Sequence, residues 1–140
     1  MPKHVLVPVD GSPQSLSAIE FVSGEWADAQ VTLLHVINPV EAGYSAGVLP
    51  SGSEEWYQEA KVEADEILRE ARERLDVDSE VTTDTEVGGP AATIVEAAET
   101  RDVDHVVIGS HGRSGVSRLV LGSVAEDVVR HSPVPVTVFR

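Results

Sequence analysis

The sequence predicts an α/β fold built on a parallel sheet, and three observations point there. Short, almost continuous apolar runs recur along the chain, at His4–Val9, Gln30–Ile37, Asp104–Ile108 and Val134–Phe139. Such runs fit strands buried on both faces. Stretches with helically spaced apolar residues separate them. Glycine and proline mark the junctions from strand to helix, at Asp10-Gly11-Ser12-Pro13, at Gly88-Gly89-Pro90 and between Gly109 and Gly122. The predicted order is β-α-β-α-β-α-β-α-β, an α/β layer sandwich. Its 140 residues suit one domain over 1–140 with a single core.

Each element has its own signal. Pro8 lacks a donor and marks the end of the first ladder. Ser12 suits a helix cap and Pro13 a first helical position, with Leu16, Ile19, Val22 and Trp26 on the apolar stripe. Gln30–Ile37 is rich in β-branched residues. Asn38 to Ser53 is too long for a simple connection and reads as a lid-like loop. Glu54–Leu75 reads as a long helix with Trp56, Ala60, Ala64, Ile67, Leu68, Ala71 and Leu75 inward. Asp65–Arg69 and Glu70–Arg74 are its expected i,i+4 pairs. Trp56 and Tyr57 read as packing residues rather than as a base-stacking platform. Glu80–Val87 alternates polar and β-branched residues, which places it near a sheet edge. Pro90 opens a helix to Thr100. Gly122 or Ser123 opens the last helix, with Val124, Val128 and Val129 inward, and Ser132-Pro133 stops it. Val134–Phe139, carrying Pro135, is expected as an edge strand open to pairing with another chain.

Composition narrows the function. The net charge is −14, with a pI near 4.5, which argues against a nucleic-acid or anionic-membrane surface. No run of about 18 apolar residues suggests a membrane span. Met1-Pro2-Lys3-His4 leads directly into the first strand without a signal segment, so a cytoplasmic protein is expected. The absence of cysteine removes thiol catalysis, disulfides and cysteine-ligated metals. The charge is uneven. Residues 109–140 set Arg113, Arg118, Arg130 and Arg140 against Glu126 and Asp127, a net +2, which leaves −16 for the first 108 residues. That asymmetry fits an anion site in the last third, or simply a buried segment with few charges.

Enzyme templates fail in turn. There is no GxxxxGK[ST], no GxGxxG after the first strand, no HExxH and no GxSxG. His4, His35, His105, His111 and His131 are scattered, so no metal ligand set emerges. What remains is Gly109-x2-Gly112-x9-Gly122-Ser123 after a buried strand. Glycines allow close backbone approach to a phosphate, and the following helix directs its first N–H groups and positive dipole end at an anion. Arg113 and Arg118 lie in the intervening loop, as charge partners or as solvated side chains. Asp10, at the tip of the first strand, is either a turn residue or a ligand contact at the carboxyl end of the sheet.

These residues resemble the universal stress protein family, in its ATP-binding branch. The likeness is carried by Gly109-Ser-His-Gly112, the nine-residue gap, Gly122-Ser123 and the ending His131-Ser-Pro-Val-Pro-Val. Val5-Leu-Val-Pro-Val-Asp10-Gly-Ser, Leu34-His-Val36 and Gly88-Gly-Pro-Ala extend it along the whole chain. The resemblance implies a Rossmann-like five-stranded parallel sheet of order 3-2-1-4-5 with helices on both faces. It implies ATP across the carboxyl ends of the first and fourth strands. Pro8, Val9 and Asp10 match positions around adenine and ribose, and Val36 the position whose backbone meets adenine. Ile108 and Gly109 match positions against the ribose. Gly112, Gly122, Ser123 and Val124 match the phosphate-binding positions, with Arg113 beside them, and Mg²⁺ or Mn²⁺ would be carried mainly by the phosphates. A homodimer through Val134–Phe139 is also implied.

The expected function is therefore a nucleotide-dependent stress-response or signalling module that binds ATP or a related adenine nucleotide and shows its state to a protein partner. A slow ATPase or self-phosphorylating enzyme is the competing class, although no catalytic residue stands out. A nucleotide-free dimeric interaction module is the third.

Overall fold

The computed structural model describes residues 2–42, 53–110 and 121–140. Five strands, β1 (His4–Pro8), β2 (Gln30–Ile37), β3 (Val81–Val87), β4 (His105–Gly109) and β5 (Val136–Phe139), form one sheet in the order β3-β2-β1-β4-β5. Every pairing is parallel. The helices are α1 (Pro13–Glu25), α2 (Ser53–Arg74), α3 (Pro90–Thr100) and α4 (Ser123–His131), with a short 3-10 turn at Pro39–Ala42.

Strand alternation sorts the core into two layers. Val5, Val7, Val31, Leu33 and Val107 face one side with Ile19 and Val22 of α1 and Leu68 and Ala71 of α2. Leu6, Leu34, Val106 and Ile108 face the other with Ile94 and Ala97 of α3 and Val128 of α4. The apolar runs are continuous because both faces are covered. β3 is the exception. It is an edge strand, and Arg101 at the end of α3 pairs with its Asp84 and Glu86.

The capping expectations hold at α1, where Ser12 Oγ accepts from Ser15 N at 3.2 Å and Pro13 is the first helical residue. Pro90 likewise opens α3, and Gly122 caps α4.

Three expectations change. Val129 is 46% exposed, and Ala125 takes the inward position instead, beside Val128. β5 is shorter than Val134–Phe139, because Ser132 Oγ ties into a turn with both the N–H and the carbonyl of Val134 before the ladder starts. Arg69 reaches forward to Glu73 at 3.3 Å rather than back to Asp65, while Glu70–Arg74 forms at 3.5 Å. Residues 43–52, most of the expected lid-like loop, lie outside the described residues. Among the described residues no helix is long and apolar enough to cross a membrane.

Candidate ligand crevice at the carboxyl end of the sheet

In a parallel α/β sheet each helix begins at the end where its strand stops. All four helices therefore send their first turns to one rim of the sheet. There, where the strand order reverses between β1 and β4, a crevice of about 1130 Å³ opens. Strand tips contribute Pro8, Val9, Asp10, Leu34, His35, Val36, Ile37, Ile108, Gly109 and Ser110. Helix starts contribute Ser12 and Ser15, Trp56 and Ala60, Pro90 and Ala91, and Ser123 and Val124. An opening at such a switch point is where open α/β folds take ligands.

Pro8, Val9, Asp10, Val36, Ile108, Gly109, Gly122, Ser123 and Val124 all line this one crevice. Gly112 and Arg113 lie outside the described residues. The nine come from four distant stretches of chain, and the sheet order brings them together.

The β1 tip is built by local hydrogen bonds. Val9 N donates to Leu34 O at 2.8 Å, which holds the tip against β2. Asp10 Oδ1 then accepts from Ser12 N at 2.9 Å, an Asx turn, and Gly11 takes φ +83°, a conformation natural to glycine. Asp10 is thus both a turn residue and a crevice residue. Its Oδ2 takes no hydrogen bond from a described residue, which leaves an acceptor for a ligand hydroxyl.

The β4 tip is glycine for a packing reason. A Cβ on Gly109 would lie 2.8 Å from Gln14 Cβ and 3.0 Å from both Gln14 C and Ser15 N. The first turn of α1 sits directly against it. Ser110, 1% exposed, then donates its N–H to Phe139 O, and its carbonyl accepts from Gly122 N at 2.7 Å. That last bond joins the end of β4 to the cap of α4, so the two ends of the glycine segment are fixed beside one another.

Two helices enter the crevice with no N-cap side chain bonded to their first amides among the described residues. Gly89 caps α3 and Gly122 caps α4, neither with a side-chain hydrogen bond, whereas α1 is closed by Ser12. Open first-turn N–H groups and the dipole favour an anion. The charged side chains lining the crevice among the described residues are Asp10, Glu63 and Asp127. The attraction for an anion thus comes from backbone, against a carboxylate-bearing wall.

His35, Glu63 and Asp127 carry no crevice reading from the sequence, and Trp56 reads there as a packing residue rather than a base-stacking one. Asp127 follows from α4 starting at the rim. Trp56 carried a signal, since a helix following a parallel strand starts at the carboxyl rim. Its place on the apolar stripe made packing the simpler reading, yet it lines the crevice and is half-buried.

A doubly wound parallel sheet with a crevice at its switch point is the layout in which open α/β folds take small ligands. Within that class of fold, the model for the universal stress protein family matches residues 1–140, and the chain belongs to that family. It is 34% identical to universal stress protein MJ0531 of Methanocaldococcus jannaschii over 143 residues, covering 99% of this chain and 82% of the relative. It is 32% identical to MJ0577 of the same organism over 155 residues, covering 100% and 96%. The solved structure of MJ0577, described as a hypothetical protein, superimposes with a TM-score of 0.85 at 31% identity, covering 98% of this chain and 94% of that one. A universal stress protein crystallised in complex with cAMP superimposes with a TM-score of 0.71 at 26% identity, covering 99% and 97%.

Proposed function

We propose that this protein binds an adenine nucleotide in the crevice and acts as a nucleotide-dependent module in a stress response or signalling pathway, in the cytoplasm, as one domain over residues 1–140. The observation that carries the reading is the pair of glycine-capped, open helix N-termini meeting at the strand-order reversal. The cAMP complex of a family relative supports the ligand class.

In this reading Val9 and Val36 wall the base, and Asp10 Oδ2 accepts from a ribose hydroxyl. Ile108 and Gly109 flank the sugar. Gly122, Ser123 and Val124 give backbone N–H groups, with the Ser123 hydroxyl, to the phosphates, and the family resemblance assigns Gly112 and Arg113 to the same ligand end. A polyphosphate would meet the Asp10, Glu63 and Asp127 carboxylates, and charge repulsion there favours a divalent cation carried on the phosphates. Mg²⁺ or Mn²⁺ fits that need, and ATP would depend on it more than AMP or a cyclic nucleotide. The outer edge of β5, unpaired among the described residues and with Val136, Thr137, Val138 and Phe139 only half-buried, is the proposed homodimer contact.

Glu63 and Asp127 also give the slow-ATPase reading a specific basis, because either could act as a base beside a bound phosphate. One experiment separates the readings. Binding of ATP, AMP and cAMP is measured with and without Mg²⁺, together with phosphate release, for wild type and Gly122→Val. The nucleotide-module reading expects binding that the variant loses and negligible turnover. Brisk phosphate release by wild type alone would favour the enzyme. No binding of any of the three nucleotides would remove both readings.

A further inference from the structure

We propose that His35 is a positioning residue of the crevice: its imidazole occupies the Val9 carbonyl and so leaves the backbone N–H and C=O of Val36 turned toward a ligand. The identity of that ligand rests on the nucleotide reading. The exchange of hydrogen bonds stands on the geometry of the ligand-free protein.

The register shows the exchange. β1 and β2 pair in parallel with Pro8 opposite Leu34. In a parallel ladder a residue donates to the carbonyl before its partner and accepts from the amide after it. Val9 N donates to Leu34 O at 2.8 Å, the regular first half of that pattern. The Val9 carbonyl is then due to Val36 N–H. It is met instead by His35 Nδ1 at 2.8 Å. A carbonyl only accepts, so Nδ1 carries the proton and donates. The side chain of one residue has replaced the main chain of the next.

The consequence falls on Val36. A strand residue turns its N–H and C=O to the same side, and successive residues alternate. Leu34 turns its carbonyl to β1, so Val36 does likewise, while Ile37 O faces the β3 side and accepts from Gly88 N at 2.9 Å. β1 has ended at Pro8, and its continuation at Val9 is already satisfied by the imidazole. Val36 therefore presents a donor and an acceptor side by side at the crevice wall. Such a pair matches the edge of a flat heteroaromatic ring that carries an acceptor next to an amino group, as adenine does.

The test uses the geometry of the side chain. Asn places its amide nitrogen on Cγ, where His carries Nδ1, whereas Gln places it one bond further out. AMP and ATP binding are titrated for wild type, His35→Ala, His35→Asn and His35→Gln, and exchange of the Val36 amide is followed in each protein without ligand. His35→Ala and His35→Gln are expected to bind about tenfold more weakly, the equivalent of one lost hydrogen bond. His35→Asn is expected to bind close to wild type. The free Val36 amide should exchange fast in wild type and His35→Asn, and slow down in His35→Ala as it closes onto the vacated Val9 carbonyl. Affinity unchanged in His35→Ala, equal losses in Ala and Asn, or a protected Val36 amide in free wild type would each overturn the proposal. Should wild type bind neither nucleotide, the nucleotide reading fails, and the exchange measurement still decides the role of His35.

Discussion

The two ends of the sheet are made from the same five strands and treat their polar groups in opposite ways. At the amino end the strand starts are tied to one another by hydrogen bonds among described residues. Asp104 Oδ2 accepts from Lys3 N and His4 N, both at 2.9 Å, and Asp104 N returns a bond to His4 O at 2.8 Å. His4 Nε2 meets Thr32 Oγ1 at 2.7 Å, and His105 Nε2 meets Thr137 Oγ1 at 2.7 Å. Gln30 N donates to Lys3 O at 2.9 Å. At the carboxyl end the ladder stops early, two helix N-termini lack a side-chain cap, and a strand-tip carbonyl is taken by an imidazole. Polar groups satisfied by one another stabilise a fold, whereas polar groups left facing a crevice become useful only to a ligand. One end closes the structure, and the other is the proposed receiving end.

The contrast is broken most strongly at Gly109, where the receiving end also has a packing duty. Gly109→Val would drive a side chain into the α1 backbone at Gln14 and Ser15 and push away the turn that carries Asp10. Overpacking of this kind costs about 1–3 kcal/mol. Denaturant unfolding should show that loss, and AMP binding should fall with it. Gly122→Val sharpens the contrast instead. Its backbone, φ −64° and ψ 154°, is open to any residue, so the fold should lose no more than the roughly 1 kcal/mol of a poorer cap residue while added methyl groups crowd the α4 N-terminus. Affinity should drop by at least about tenfold, read by calorimetry, since more than one charge-assisted hydrogen bond is at stake. A lowered midpoint with intact affinity would place the role of Gly122 in folding.

Much of this architecture was legible because buried parallel strands leave a plain trace. β2 was read to the residue, and the starts of α1 and α3 followed from Ser12-Pro13 and Gly89-Pro90. The glycine pattern and its resemblance gave nine crevice positions that the sheet order then brought together. What escaped depends on neighbours in space. The helical spacing of α4 points Val124, Val128 and Val129 inward together, but small Ala125 takes a buried place while Val129 is exposed. Arg69 had acidic residues at i−4 and i+4, and a local spacing rule cannot choose between them. His35 looked like any polar interruption of a strand, because its partner, the Val9 carbonyl, is 26 residues away.

At the closing end, Asp104→Ala removes the acceptor for two backbone amides and should lower the unfolding midpoint while nucleotide affinity stays as in wild type. Those amides hold the Asp104 carboxyl below its ordinary 3.8. A depressed carboxylate stabilises the fold above its unfolded value and loses that effect as pH falls through the folded one. The gap in midpoint between wild type and Asp104→Ala should therefore be full near neutrality and shrink below about pH 3.8. A gap that did not change with pH would show that the carboxylate charge is irrelevant to the latch.

The smallest expected effect lies at His105, which stacks edge-on against Trp26 with ring centroids 4.8 Å apart. Burial lowers its pKa from the usual 6.5, since the charged ring is poorly solvated there. Here the folded state resists a proton that the unfolded chain accepts. Stability is therefore unaffected above pH 6.5 and declines as pH falls from 6.5 toward the lower folded value, below which the loss levels off. His105→Gln, with an amide to meet Thr137 Oγ1, should remove this decline while leaving nucleotide binding untouched at every pH. Chemical unfolding of both proteins between pH 7 and pH 5 measures it. If the variant kept the same slope, another group would be responsible. If nucleotide affinity changed with it, the two ends of the sheet would be coupled through β4, and the division between a closing end and a receiving end would no longer describe the molecule.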